Sequence, residues 1–253
     1  MDRGALSDIA HRRHPVAAPV DPSRVRELLS WLAPPAAGRV LDLGSGHGAW
    51  LLELLAARED LTGVGVDVSL PDGLTQTTQD RGVGDRVTWE QADAAQWSGG
   101  AFDVVMCVGA SHAFGDLAAT LAAVRRHLRP GGQVLLGDVF WETRPTSEAL
   151  SALDATADDF PDLAGFMGQA HEASFEPGFG HVSTLAEWDD YEWSWTGSLV
   201  DWALRDAPTD ADREQALAAA REHRQQWLGG YRTVLGFATV VLQDIAAGPD
   251  LEP

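Results

Sequence analysis

Over its first 140 residues the chain alternates short, nearly unbroken apolar runs with longer stretches of helical periodicity. A strand buried on both faces reads as a continuous aliphatic run, not as an apolar–polar alternation. The segments 39–43 (RVLDL), 61–67 (LTGVGVD), 86–90 (RVTWE), 102–108 (FDVVMCV) and 133–139 (QVLLGDV) fit that description. Helices are expected between them. One opens at Asp21-Pro22-Ser23, an N-cap acid followed by proline, runs to about Trp31 and is stopped by Pro34-Pro35. Another covers 49–58, and a third covers 116–128 before Arg129-Pro130-Gly131-Gly132. The segment after Ser69 (LPDGLTQTTQD) is less clearly helical. Strands alternating with helices in this way predict a parallel sheet.

After Phe140 the pattern turns mostly helical and rich in tryptophan. Helices are expected at 147–160, 163–173, 187–205 and 209–228, a weak strand at 180–185 and a last strand at 236–242. The spacing of Trp188, Tyr191 and Trp195 marks one helical face, which usually packs into a core. The expected fold is α/β: a Rossmann-like, mostly parallel sheet with helices on both faces. The expected organisation is one domain over 1–253, with a core at about 22–140 and 232–246 and a partly helical cap at about 141–231.

Charge narrows the partners. The formal net charge is −20, and there is no lysine in the 253 residues. Phosphate binding needs clustered cations, and the run His11-Arg12-Arg13-His14 is too short to supply them. Neither nucleic acid nor an anionic membrane is an expected partner. No run approaches the roughly 20 apolar residues of a membrane span. The opening MDRGALSDIAHRRH lacks the apolar centre of a secretory signal, so a cytoplasmic monomer or homodimer is expected. The single cysteine, Cys107, excludes an internal disulfide.

The chemistry concentrates after the first strand, in Asp42-Leu43-Gly44-Ser45-Gly46-His47-Gly48. Glycines there permit positive φ and let backbone approach a ligand closely. Gly44-x-Gly46-x-x-Ala49, with Asp67 about twenty residues on, satisfies a dinucleotide fingerprint. Other features point away from NAD. Asp42 ends the strand, where a carboxylate would repel a pyrophosphate but attract a cationic amino-acid ligand. Asp93-Ala94 follows the third strand, where an acid can accept from an adenine amino group. Pro130-Gly131-Gly132 leads into the fifth strand.

In order and spacing, VLDLGSGHG, GVGVD, QADA, FDVV and LRPGG resemble the class I S-adenosylmethionine-dependent methyltransferases over about 39–138. The resemblance implies a seven-stranded sheet ending in an antiparallel hairpin, S-adenosylmethionine as cofactor and S-adenosylhomocysteine as product. It implies that Gly44, Ser45, Gly46 and Gly48 contact the methionine moiety and ribose, with Asp42 beneath. Asp67 would accept both ribose hydroxyls. Asp93 and Ala94 would read the adenine edge, and Val68 and Val108 would flank the ring. Further segments (IAHR at 9–12, GASHAFG at 109–115, GDVFW at 137–141, EWDDYE at 187–192 and LGF at 235–237) resemble a subgroup of bacterial small-molecule methyltransferases.

Methyl transfer to O, N or C of a small metabolite is an in-line displacement, achieved largely by positioning. Ligands in such folds meet the carboxyl ends of the strands, so the loop 109–115 should face the methyl group, with His112 as candidate base. Trp141, His181 and Tyr191 are candidate substrate contacts. His11 and His14 are candidates in a segment that could fold over the cofactor. Their spacing is not the i, i+4 pair of a helical zinc site, so no metal is expected. The alternatives are a SAM-binding scaffold without turnover and an NAD-dependent oxidoreductase.

Overall fold

In the computed structural model, which describes Met1 and residues 3–246, the aliphatic runs form one seven-stranded sheet of order β3-β2-β1-β4-β5-β7-β6. The strands are β1 (Arg39–Leu43), β2 (Thr62–Asp67), β3 (Val87–Gln91), β4 (Phe102–Val108), β5 (Leu128–Trp141), β6 (Phe175–Val182) and β7 (Leu235–Asp244). Strands β1 to β5 pair in parallel, and β7 runs antiparallel between β5 and β6. The expected sheet is therefore present. Its antiparallel pair is not a hairpin, because a long helical excursion separates β6 from β7.

The pleat explains why the central runs are continuously apolar. Along β4, Val104, Met106 and Val108 enter the core on one face, while Val105 and Cys107 enter the core on the other. The helices are α1 (Arg3–Ala10), α2 (Pro22–Ser30), α3 (Ala49–Ala57), α4 (Leu74–Asp80), α5 (Leu117–His127), α6 (Ser147–Leu153), α7 (Leu163–Glu172), α8 (Leu185–Arg205) and α9 (Asp210–Gln226). The less clearly helical segment after Ser69 does contain a helix, α4, which buries Leu74 and Thr78 one turn apart. Helix α6 is shorter than expected because Asp154 takes a left-handed conformation, φ 50°, and ends it. The weak strand lies earlier than expected: β6 ends at Val182, and Thr184 caps α8. The stretch 141–231, expected as cap, thus donates the edge strand of the sheet. The final residues of the 1–253 expectation fall outside the described residues.

Strand order reverses between β1 and β4, which opens a crevice at their carboxyl ends. Two segments close over it. Helix α1 and the 3-10 turn at His11–Arg13 lie against α8, held by Arg13 to Asp201 at 2.7 Å and a small core including Ile9, Ala10, Leu199 and Ala203. Helix α8 is itself fixed by a buried polar knot. Tyr231 donates to Glu192 Oε1 at 2.7 Å, and His223 Nε2 meets Oε2 at 2.6 Å. Glu192→Ala takes the acceptor from the buried Tyr231 hydroxyl and leaves it the longer contact to His223 Nε2 at 3.3 Å, so a loss of roughly 2 kcal/mol is expected. Urea denaturation of this variant should show a lower midpoint at unchanged slope. An unchanged midpoint would mean that the knot does not hold the cap.

Candidate functional site

The glycine loop after β1 is pinned before it does anything else. Gly44 and Ser45 donate to the Val66 carbonyl at 2.9 and 3.1 Å, tying the loop to β2. Gly44, Gly46 and Gly48 have φ of 77°, 48° and 71°, conformations that L side chains rarely adopt. At Gly44 a Cβ would also collide with the Ala110 side chain, whereas nothing lies within 4 Å of the position a Gly46 Cβ would take. The first glycine lets two loops close; the second leaves room for a ligand. Gly44→Ala is accordingly expected to cost roughly 2 kcal/mol or more in folding stability. Gly46→Ala should cost less stability but should weaken ligand binding. Thermal unfolding with and without ligand separates the two, and equal losses at both positions would refute the distinction.

Asp67, at the end of β2, completes the loop. Its Oδ2 accepts from the Gly46 N–H at 2.8 Å and its Oδ1 from the Ser69 N–H at 3.1 Å. Asp42, one pleat before Leu43, is 2 % exposed, and its Oδ2 has no hydrogen-bond partner. Burial, reinforced by the nearby Asp67 charge, pushes its pKa up to about 7. A carboxyl group there gains from a cationic ligand above it.

A cleft of about 480 Å³ lies over this loop. It brings together Gly44, Gly46, Asp67, Val68, Ala94 and Val108 from the cofactor set, and His11, His112 and Tyr191 from the candidate catalytic and substrate sets. Val68, 65 % exposed, stands at its rim. Ser45 and Gly48 support the loop from behind: Ser45 is buried, and Gly48 is the N-cap of α3. Asp93 is exposed beside the cleft, and its Oδ1 accepts from the Ala95 N–H at 2.9 Å.

Other expected residues stand elsewhere. Trp141 is core: 6 % exposed, it donates to the Ala157 carbonyl at 3.0 Å and packs edge-on against Phe160. His181, on β6, is held by both oxygens of Glu187 at 2.9 and 3.0 Å, and Glu187 in turn closes the capping box of α8. Neither side chain lines the cleft, because packing and capping take them first. His14 is buried behind Tyr191, edge-on at 5.3 Å, with its Nδ1 unpartnered; burial lowers its pKa.

Several lining residues carry little signal in the sequence: Ser7 and Asp8 of α1, His47 inside the glycine loop, and Pro71 before α4. His47 occupies a variable position of the motif, and α1 lies far from the cleft in sequence. Behind His112, Asp138 is buried in β5, which raises its pKa; it hydrogen-bonds the Ser111 side chain, and its charge reaches His112. Among the described residues no group of three or more His, Cys, Asp or Glu side chains is placed to hold a metal, and no helix is long and apolar enough to cross a membrane.

Comparison with known proteins agrees with this geometry. Residues 41–134 match the family described as a methyltransferase domain. A S-adenosylmethionine-dependent methyltransferase from Thiobacillus denitrificans, solved with S-adenosyl-L-homocysteine, superposes with a TM-score of 0.82 at 29 % identity, covering 96 % of this chain and 99 % of that one. A second, from Geobacter sulfurreducens with the same ligand, has a TM-score of 0.82 at 25 % identity over 94 % and 97 % of the two chains. The 27-O-demethylrifamycin SV methyltransferase of Amycolatopsis mediterranei is 31 % identical over 164 residues, covering 61 % of this chain and 60 % of its own. The glycine loop, the acid at the end of β2, the matched methyltransferase domain and a sheet shared almost end to end with two methyltransferases together identify an enzyme similar to the S-adenosylmethionine-dependent methyltransferases.

Proposed function

We propose that this enzyme transfers the methyl group of S-adenosylmethionine to O, N or C of a small-molecule metabolite in the cytoplasm. Sheet and cap act as one catalytic domain. The observation that carries the reading is the open space at Gly46 in a cleft lined by Asp67, with the buried, unpartnered Oδ2 of Asp42 on the strand that leads into the loop. That cradle fits the cofactor. Backbone at Gly44, Gly46 and Gly48 allows close approach, and each Asp67 oxygen keeps a lone pair for a ribose hydroxyl beside its loop contact. Asp42 suits the methionine ammonium. Ala94, Asp93, Val68 and Val108 suit the adenine, and Ser45 supports the turn.

The bound cofactor supplies an activated methyl group on a sulfonium. The protein's part is to orient the acceptor and exclude water. His112, exposed on the cleft wall within reach of the Asp138 charge, can take a proton from an acceptor that carries one. His14 backs Tyr191 and shapes the acceptor side. The acidic surface argues against nucleic acid as acceptor. The Amycolatopsis relative is named for one compound, which supports a small-molecule acceptor. Two methyltransferases similar over nearly the whole chain favour turnover over a binding scaffold.

Calorimetry with S-adenosylmethionine, S-adenosylhomocysteine and NADH tests the reading. Micromolar binding of the sulfur compounds and none of NADH is expected. Absence of binding by both sulfur compounds overturns it.

A further inference from the structure

His11 and Tyr191 are 180 residues apart and meet in the cleft, His11 Nε2 lying 3.0 Å from the Tyr191 hydroxyl. The proton positions follow from chemistry. His11 Nδ1 is 2.9 Å from the Ser7 carbonyl oxygen, closer than the 3.4 Å to the Ser7 hydroxyl. A carbonyl only accepts, so Nδ1 carries the hydrogen. Burial, with His47, His14 and His223 adding to it, holds the His11 pKa down at about 4, so the ring is neutral near pH 7. Nε2 is then a bare acceptor, and the Tyr191 O–H must donate to it. That leaves the lone pairs of the Tyr191 oxygen for whatever enters the cleft.

The pair is held from both sides. Helix α8 is fixed next to Tyr191 by Arg232 on Asp189, at 2.6 and 2.8 Å, and by the Glu192 knot. The turn carrying His11 is fixed by Arg13 on Asp201. An oriented acceptor lone pair is a device for recognising an O–H or N–H donor. Among the described residues the cleft lining contains no arginine, and its carboxylates are Asp8 and Asp67, so an anionic group on the acceptor finds no arginine counter-charge among them.

We infer that Tyr191 is a catalytic residue that binds the methyl acceptor, that His11 positions it and takes up its proton, and that the accepting atom is a hydroxyl oxygen. This rests on the methyltransferase reading. As the new C–O bond forms, the S–CH3 bond breaks with its electron pair left on sulfur. The hydroxyl proton passes to the Tyr191 oxygen, and the Tyr191 proton passes to His11 Nε2, giving an imidazolium that later releases it to solvent. A weak base suffices, because an oxygen losing electron density to a methyl group becomes strongly acidic. An aliphatic amine does not fit. It is an ammonium near pH 7 and must lose a proton before it can attack, which so weak a base does not remove.

The test uses 19F NMR with 4-fluorophenol, 4-fluorobenzylamine and 4-fluoroanisole, first as ligands of the S-adenosylhomocysteine-loaded protein and then with S-adenosylmethionine. Binding of 4-fluorophenol at least about tenfold tighter than 4-fluoroanisole is expected. Tyr191→Phe should erase that preference while S-adenosylhomocysteine affinity stays within about threefold, which also reports that the variant is folded. With S-adenosylmethionine, 4-fluorophenol should give 4-fluoroanisole, 4-fluorobenzylamine should give no N-methyl product, and Tyr191→Phe should lower kcat about 100-fold. His11→Gln, whose side-chain carbonyl can accept the Tyr191 hydrogen bond but not its proton, should restore the binding preference lost in His11→Ala without restoring kcat. Equal binding of phenol and anisole, no methylation of the phenol, N-methylation at a similar rate, or an unaffected Tyr191→Phe overturns the inference. If S-adenosylhomocysteine itself fails to bind, the methyltransferase reading falls instead.

Discussion

Asp67→Ala should bind S-adenosylmethionine at least about 100-fold more weakly than the wild-type protein. Two losses combine. The first is the pair of ribose contacts that the proposed site assigns to the carboxylate, each charge-assisted hydrogen bond contributing about 1.5–3 kcal/mol. The second is the loop. Asp67 holds the Gly46 N–H at 2.8 Å and the Ser69 N–H at 3.1 Å, so without it the cradle is no longer preorganised. Asp67→Asn separates the two. Its carbonyl oxygen can still accept from Gly46 while the charge is gone, so a weakening of about tenfold is expected. Isothermal calorimetry on the three proteins reads both numbers. An alanine variant within about threefold of wild type would place the ribose elsewhere.

This carboxylate is legible in the sequence because its setting is local: a buried strand, a glycine turn and an acid at the end of the next strand. The central strands are legible for a related reason. Burial on both faces removes polar positions from runs such as FDVVMCV, whose residues indeed enter the two cores alternately. Strand β6 carries Pro177, Gly178 and Gly180 in the sequence FEPGFGHV, and only an edge position tolerates them. Its polar and glycine-rich pattern therefore hides it, which is why the weak strand expected there lies too far along the chain.

The acceptor side of the cleft is only partly legible. Trp141 and His181 stand near strand ends, where a ligand-facing role is reasonable. Yet the hydrogen bond of Trp141 to Ala157 and the clasp of His181 on Glu187 commit them to the frame. The pairing of His11 with Tyr191 depends on α1 crossing to α8. No spacing rule connects residues brought together only by tertiary packing. Residue types nominate the candidates, but which of them face one another is decided by the packing of α1 on α8.

Asp42 gives the second large effect, through its proton. Its pKa, raised from 3.8 to about 7, means that the folded ligand-free protein holds a proton that the unfolded chain releases near pH 4. Stability must then fall as pH rises from about 4 to about 7, because the native state binds more protons across that window. The full penalty at pH 8 is on the order of 4 kcal/mol. His11, with its pKa lowered to about 4, acts in the opposite direction between about pH 4 and 6.5, so the wild-type curve alone does not isolate Asp42. The difference between wild type and Asp42→Asn does. With asparagine standing in for the protonated acid, the variant's advantage should be about 2 kcal/mol at pH 5 and should grow to about 4 kcal/mol at pH 8. Binding should show the converse. A cationic amino-acid group over the unpartnered Oδ2 favours the ionised form, so S-adenosylmethionine should displace close to one proton at pH 6 and almost none at pH 9. Asp42→Asn should release none from this position and should bind at least about tenfold more weakly. Calorimetry in buffers of different ionisation enthalpy counts the protons. Equal release by both proteins at pH 6 would assign the proton to another group and remove Asp42 from the cofactor site. Unequal release would mean that the Asp42 carboxylate weakens the empty fold and strengthens the loaded one, because the cation that neutralises it arrives only with the ligand.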